Sequence, residues 1–168
     1  AFVWCRNIKE IVIPEGVRNI YESTFWGCES LENLVLPSTI TSIGEDAFYA
    51  CRSLKKLVLP DGITSMAESA FWACYGLEEI NIPKGMKEIP VNCFSSCTAL
   101  KKVILHDKLE IIGEEAFDGC SALAEIEIPE GDWKIVFFVI SCSPLPLVVA
   151  SLYPRIALVY SPLRLNMA

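Results

Sequence analysis

The stretch Ala47–Ser69 reads AFYACRSLKKLVLPDGITSMAES, and its apolar lattice is Ala47, Phe48, Cys51, Leu54, Leu57, Leu59, Ile63 and Met66. Phe48, Cys51 and Leu54 follow at about one helical turn per step, which predicts a short helical or 3₁₀ segment. Leu57-Val58-Leu59 alternates as a short strand does, with Leu57 and Leu59 expected inward and Val58 outward. Pro60-Asp61-Gly62 then ends the strand, because proline cannot donate to a ladder and suits a turn's second position. Ile63-Thr64-Ser65-Met66 returns along the other side of the coil. Eight inward groups in 23 residues cannot enclose a core alone. Stacked copies can.

The copies are present on both sides. Cysteines stand at Cys5, Cys28, Cys51, Cys74, Cys97 and Cys120, each 23 residues from the last. Phe2, Phe25, Phe48, Phe71, Phe94 and Phe117 lie three residues before them. Pro14, Pro37, Pro60, Pro83 and Pro129 lie nine after, with His106 in the fifth slot. A fixed period between about 20 and 50 residues marks a solenoid or other repeat array. Such arrays usually work through an extended surface rather than a catalytic pocket.

The lattice AF-x-x-C-x-x-L-x-x-L-x-L-P-x-x-I-x-x-I resembles the BspA-like, or Treponema-type, leucine-rich repeat. Six tandem copies in one register carry the resemblance over residues 1–131. The resemblance implies a repeat solenoid, a leucine-rich-repeat array with a parallel β-sheet on one face and short helical or 3₁₀ turns on the other. It also implies bacterial or protist surface proteins that bind host matrix proteins, host cells or other microbes. Departures are local: Thr24 and Cys93 replace the alanine, and Asp132 takes an inward position that Ile63 fills in the third copy. The chain opens at Ala1-Phe2 inside a repeat, which reads as a segment of a longer array truncated at its N-terminus.

Charge is split along the 168 residues. Residues 1–132 carry all 21 acidic and 11 of the 14 basic groups, whereas 133–168 hold only Lys134, Arg155 and Arg164. An acidic array disfavours nucleic acid, whose backbone wants clustered Lys and Arg. The lattice cysteines are expected to form a ladder of free buried thiols rather than disulfides. Equivalent residues of stacked coils lie about 4.8 Å apart with parallel side chains, while a disulfide wants Cβ atoms nearer about 3.8 Å.

Stacking turns each repeat position into a column. Lys9, Glu32, Lys55, Glu78 and Lys101 alternate in sign, which suits a register device on a solvated face better than a ligand site. Val12, Val35, Val58, Asn81, Ile104 and Glu127 lie between the inward strand residues and should point out from the sheet. The valines make this stripe more apolar than a solvated face needs, which marks a candidate contact site, although β-branched residues also suit strands for their own sake. Trp26, Tyr49 and Trp72 form a third column, ending in Ser95 and Asp118. They read either as interface anchors or as a cover folded over the phenylalanine row.

Catalytic chemistry finds no foothold. His106 occupies a turn without a paired nucleophile. Cys93 and Cys97 share a face only on one turn, and zinc wants about four ligands. Neither Glu78-Glu79 nor Glu114-Glu115 forms an acid and base in a cleft. The expectation is a chain with no catalytic residues, no metal and no cofactor.

After residue 131 the register fails, and 132–168 reads as an apolar, non-repeat tail; Cys142 falls off the lattice. Residues 135–154 form an uncharged run of 20, long enough to span a bilayer but broken by Pro144 and Pro146. Anchor, end cap and non-native sequence are the three readings, and the abrupt change of composition favours the last. The function expected is a non-enzymatic protein–protein interaction module of a cell-surface or secreted adhesin, with a host matrix or microbial surface protein as partner. An intracellular scaffold or regulatory repeat domain is the alternative.

Overall fold

A computed structural model describes residues 1–124 and 126. Each coil carries two short strands. The first of each coil are β1 (Glu10–Val12), β3 (Asn33–Val35), β5 (Lys56–Leu57), β7 (Glu79–Asn81) and β9 (Lys102–Ile104). The second are β2 (Asn19–Ile20), β4 (Ser42–Ile43), β6 (Ser65–Met66), β8 (Glu88–Ile89) and β10 (Ile111–Ile112). All the pairings are parallel and one repeat apart, as in Ile11 with Leu34 and Ile80 with Val103. The chain is therefore a parallel-strand solenoid with two rows of strands.

The apolar lattice fills the space inside the coil. All eight lattice residues of Ala47–Ser69 are buried, from Phe48 at 0% exposure to Met66 at 8%. The six phenylalanines stack in one column with ring centroids 4.8–5.5 Å apart and planes within 16° of parallel. The departures from the alanine position are accommodated by new bonds. Thr24 donates to the Tyr21 carbonyl at 2.7 Å, and Cys93 approaches Met66 Sδ at 3.1 Å.

The segment expected to be helical or 3₁₀ is instead a run of turns. Tyr49, Cys51 and Leu54 donate to the carbonyls three residues back, at 3.0, 3.1 and 3.3 Å. Between those bonds, Phe48 and Ala50 donate across to Ala70 and Trp72 of the next coil at 2.8 and 2.9 Å. A helix keeps its donors for itself; here alternate donors stitch one coil to the next. Asp46 (φ 52°) and Ala50 (φ 57°) lie in the left-handed region, which interrupts any right-handed helical run.

The same slot as Asp46 holds Ser23, Ser69, Asn92 and Glu115, all left-handed. Asparagine tolerates that region better than most residues because its side chain bonds locally. Glu115 is exposed, so its conformation can be relieved without disturbing the core. Glu115→Asn should raise stability by about 0.5 kcal/mol, measured as a higher urea midpoint at unchanged slope.

Both rows of strands are interrupted once, between β3 and β5 in the first and between β6 and β8 in the second. The second break has a visible cause. Gly44, Ala67 and Gly113 each donate to the carbonyl at the end of the preceding coil's strand, on Ile20, Ile43 and Ile89, at 2.7–2.9 Å. The fourth coil has Pro90 at this position, which has no N–H to offer Met66. The tail at 132–168, its uncharged run and Cys142 lie outside the described residues.

Candidate functional site

The first row of strands builds the most apolar part of the outer surface. Along each strand the side chains alternate, so Leu34, Leu57, Ile80 and Val103 are buried while the next residue points away from the core. Val12, Val35, Val58 and Ile104 are 63%, 52%, 66% and 42% exposed. In-register pairing sets Val12 beside Val35 and Asn81 beside Ile104. The residues predicted from sequence thus stand one per coil on the outer face of the first row, with the pairing interrupted between Val35 and Val58; Glu127 lies outside the described residues.

Asn81 differs from its neighbours in this stripe. Elsewhere Ile13 and Ile82 donate to the backbone carbonyls of Val35 and Ile104 at 3.0 and 2.9 Å. Leu59 donates instead to Asn81 Oδ1 at 2.9 Å, and Asn81 Nδ2 donates back to the Leu59 carbonyl at 2.7 Å. The amide therefore clamps two coils together, and both of its polar ends are engaged.

Charges border the stripe. Lys56 and Lys102 pair with Glu79 at 3.2 and 4.0 Å. In the alternating column, Lys9 pairs with Glu32 at 3.9 Å and Lys101 with Glu78 at 3.1 Å. Lys55, in the middle, forms no ion pair among the described residues, so the ladder expected from sequence closes only at its two ends. An apolar centre with a paired polar border is the usual anatomy of a protein interface.

The aromatic column sits on the turn segment, away from the first row of strands. Trp26 and Tyr49 meet at 5.0 Å, and Tyr49 and Trp72 at 5.6 Å in an edge-on contact. Trp26 and Tyr49 are half-buried, whereas Trp72 is 40% exposed. The contacts favour the covering role for the first two.

Two features escaped the sequence reading. The lattice thiols donate hydrogen bonds, each to the phenylalanine carbonyl of the preceding coil. Cys28, Cys51, Cys74, Cys97 and Cys120 reach Phe2, Phe25, Phe48, Phe71 and Phe94 at 3.0–3.2 Å. Burial is the main cause that pushes the thiols of Cys51, Cys93 and Cys97 well up, and that of Cys74 to about 12. They are neutral at ordinary pH and poor nucleophiles. The second feature is a surface column in which Glu29 lies 3.9 Å from Arg6 and 3.8 Å from Arg52. Arg52 in turn lies over the Tyr75 ring at 5.5 Å. The 23-residue spacing of Arg6, Glu29, Arg52 and Tyr75 was the available signal.

His106 is 9% exposed at its turn, where Nδ1 accepts the Lys108 N–H at 3.2 Å. The seven described cysteines are free. Among the described residues no group of three or more His, Cys, Asp or Glu side chains is placed to hold a metal. No helix among them is long and apolar enough to cross a membrane.

Comparison with known proteins gives a consistent picture. The family described as BspA type leucine rich repeat region matches residues 1–124 in six copies. The leucine-rich repeat protein of T. pallidum is similar, at 27% identity and a TM-score of 0.65 over 73% of this chain and 68% of that one. A leucine-rich repeat protein from Bacteroides ovatus shares 26% identity, with a TM-score of 0.61 over 79% of this chain and 40% of that one. One from Eubacterium ventriosum, at 20% identity, has the same fold with a TM-score of 0.73 over 95% of this chain and 46% of that one. The chain thus spans less than half the length of the latter two. Comparison with curated proteins gives no match.

Proposed function

The chain belongs to the BspA-type leucine-rich repeat family, and from that membership we propose that it is a non-enzymatic interaction module whose contact face is the stripe Val12, Val35, Val58 and Ile104. The observation that carries this reading is the exposure of three valines at 52–66% on consecutive coils. Solvent-facing strand positions in a soluble array are ordinarily polar, and an apolar run of three valines on consecutive coils, rimmed by ion pairs, suits a protein partner. Asn81 holds the coils beneath the stripe in register, and Trp72 offers an aromatic contact on the neighbouring turn segment. The net acidic array argues for a protein partner over nucleic acid. An adhesin at the cell surface or in the secreted fraction, binding a host matrix or microbial surface protein, is the role that the family resemblance suggests.

The test is the Val35→Glu/Val58→Glu double variant. Both side chains are already in solvent, so the fold should survive, seen as an unchanged circular dichroism spectrum and thermal midpoint. Two desolvated carboxylates at the centre of an interface should weaken binding at least tenfold. Surface plasmon resonance against a panel of matrix proteins and intact bacteria provides the readout. Equal affinity of a folded double variant for every partner would remove the stripe from consideration. Antibody labelling of intact cells of the source organism separates the surface role from the intracellular scaffold.

A further inference from the structure

The second row of strands carries a groove of about 550 Å³ at the place where β6 and β8 fail to join. Its origin is the proline described above: Pro90 stands where Gly44, Ala67 and Gly113 supply the N–H that ties one coil to the last. The coils remain tied on either side of the strands, where Ser69 donates to the Val91 carbonyl at 3.2 Å and Glu78 to the Lys55 carbonyl at 2.8 Å. The seam is therefore open only along the strands.

The composition of this opening is unlike that of the other seams. Its lining includes Met66 and Met86, where neighbouring coils have Ile43 and Ile89, or Ile63 and Leu109. Methionine is flexible and polarizable, and it adapts to varied ligands. Glu45, Glu68 and Glu88 also line it, all exposed and without an ion pair among the described residues. The cation in the lining, Lys87, is engaged by Glu110 at 2.9 Å. The groove thus combines unneutralised carboxylates, an apolar methionine floor and two facing strand edges, of β6 and β8, that do not pair with each other. A guanidinium or ammonium group on a long aliphatic stem matches that combination, since the stem lies on apolar surface while the head takes the charge. Extended backbone on either side of such a residue would find strand groups to pair with. The volume is in the range of ordinary ligand sites.

We propose that the groove between β6 and β8 is a second binding site, which takes an extended peptide segment through an arginine or lysine side chain. It lies on the other row of strands from the valine stripe and does not depend on the stripe's role. The probe is a fluorescein-labelled, capped nonapeptide of alternating glycine and valine with one central arginine. Its partner carries citrulline, the neutral isostere of arginine, at that position. Anisotropy titrations with the full chain should show the arginine peptide binding at least tenfold more tightly than the citrulline peptide. Glu68→Gln/Glu88→Gln should weaken the arginine peptide at least tenfold, whereas a charge-matched Glu10→Gln/Glu114→Gln variant should leave it unchanged. Pro90→Ala restores the missing donor, so the seam should close, with peptide binding lost and the thermal midpoint raised. Equal binding of the two peptides overturns the proposal, as does undiminished binding by either the glutamine or the alanine variant. Failure of the arginine peptide to bind at all overturns it too.

Discussion

Phe71→Ala should cost about 3–5 kcal/mol of folding stability, the ordinary range for emptying a fully buried phenylalanine site. Phe71 is wholly buried and stacks on Phe48 at 4.8 Å and on Phe94 at 5.3 Å. The neighbours cannot collapse into the gap, because each ring is held by its own coil and by the next ring in the column. Position along the array then matters. In a solenoid each repeat touches only its neighbours, so a defect in the middle weakens two interfaces and uncouples the ends. Phe2 stacks on one partner, Phe25 at 5.4 Å, and is only half-buried. Phe2→Ala should therefore cost less than half as much as Phe71→Ala. Urea unfolding followed by circular dichroism measures both; equal losses would mean that the column does not act as a chain of nearest-neighbour contacts.

Alkali should destabilise the chain through its buried thiols. The ordinary thiol value is 9.0, and burial raises Cys51, Cys74, Cys93 and Cys97 above it in the folded state. A group whose folded value exceeds its unfolded one contributes stability that is complete below the unfolded value and is lost as pH rises toward the folded one. Between about pH 9 and 10 each such thiol ionises in the unfolded chain and stays neutral in the folded one, which costs about 1 kcal/mol apiece. Four of them cost about 4 kcal/mol, a large share of a typical domain's stability of about 5–15 kcal/mol. Unfolding free energies at pH 8, 9 and 10 under reducing conditions should show this fall. Cys74→Ser keeps a donor for the Phe48 carbonyl and removes one titrating thiol, so it should flatten the fall by roughly a quarter. A variant whose pH dependence matched that of the parent chain would show that Cys74 takes no part.

The apolar columns were legible because each inward position is restated once per coil. A single Leu57-Val58-Leu59 is ambiguous; the same alternation in every coil is not. The outward valines followed from the inward leucines, since a strand that buries alternate residues must expose those between. Other features were hidden for physical reasons. Each strand of the second row is only two residues long, too short for a period of two to register. The spacing of Phe48, Cys51 and Leu54 fits a helical turn as well as a chain of tight turns. No coil has a glycine in the Asp46 slot to announce its left-handed conformation, whereas Gly27 and Gly119 in the Ala50 slot were an available signal. Asn81 looked like an outward polar residue, and only the position of Leu59 in the adjacent coil reveals it as a clamp. Pro90 was visible as a change of residue, but its effect depends on a hydrogen bond from a neighbouring coil. The described lattice cysteines are free and, apart from the half-buried Cys5, buried as their spacing suggests, yet their donation to phenylalanine carbonyls needed the stacking geometry.

Hydroxyl-radical footprinting of the chain with a partner retained in the binding panel tests the contact face most directly. Oxidation of Val35, Val58 and Ile104 should fall on binding, while Tyr21, 72% exposed just after the second strand of its coil, and Tyr75 should react as in the free chain. Unchanged oxidation of the three stripe residues, with protection of Tyr21 or Tyr75 instead, would contradict the assignment of the valine stripe as the surface through which this array binds.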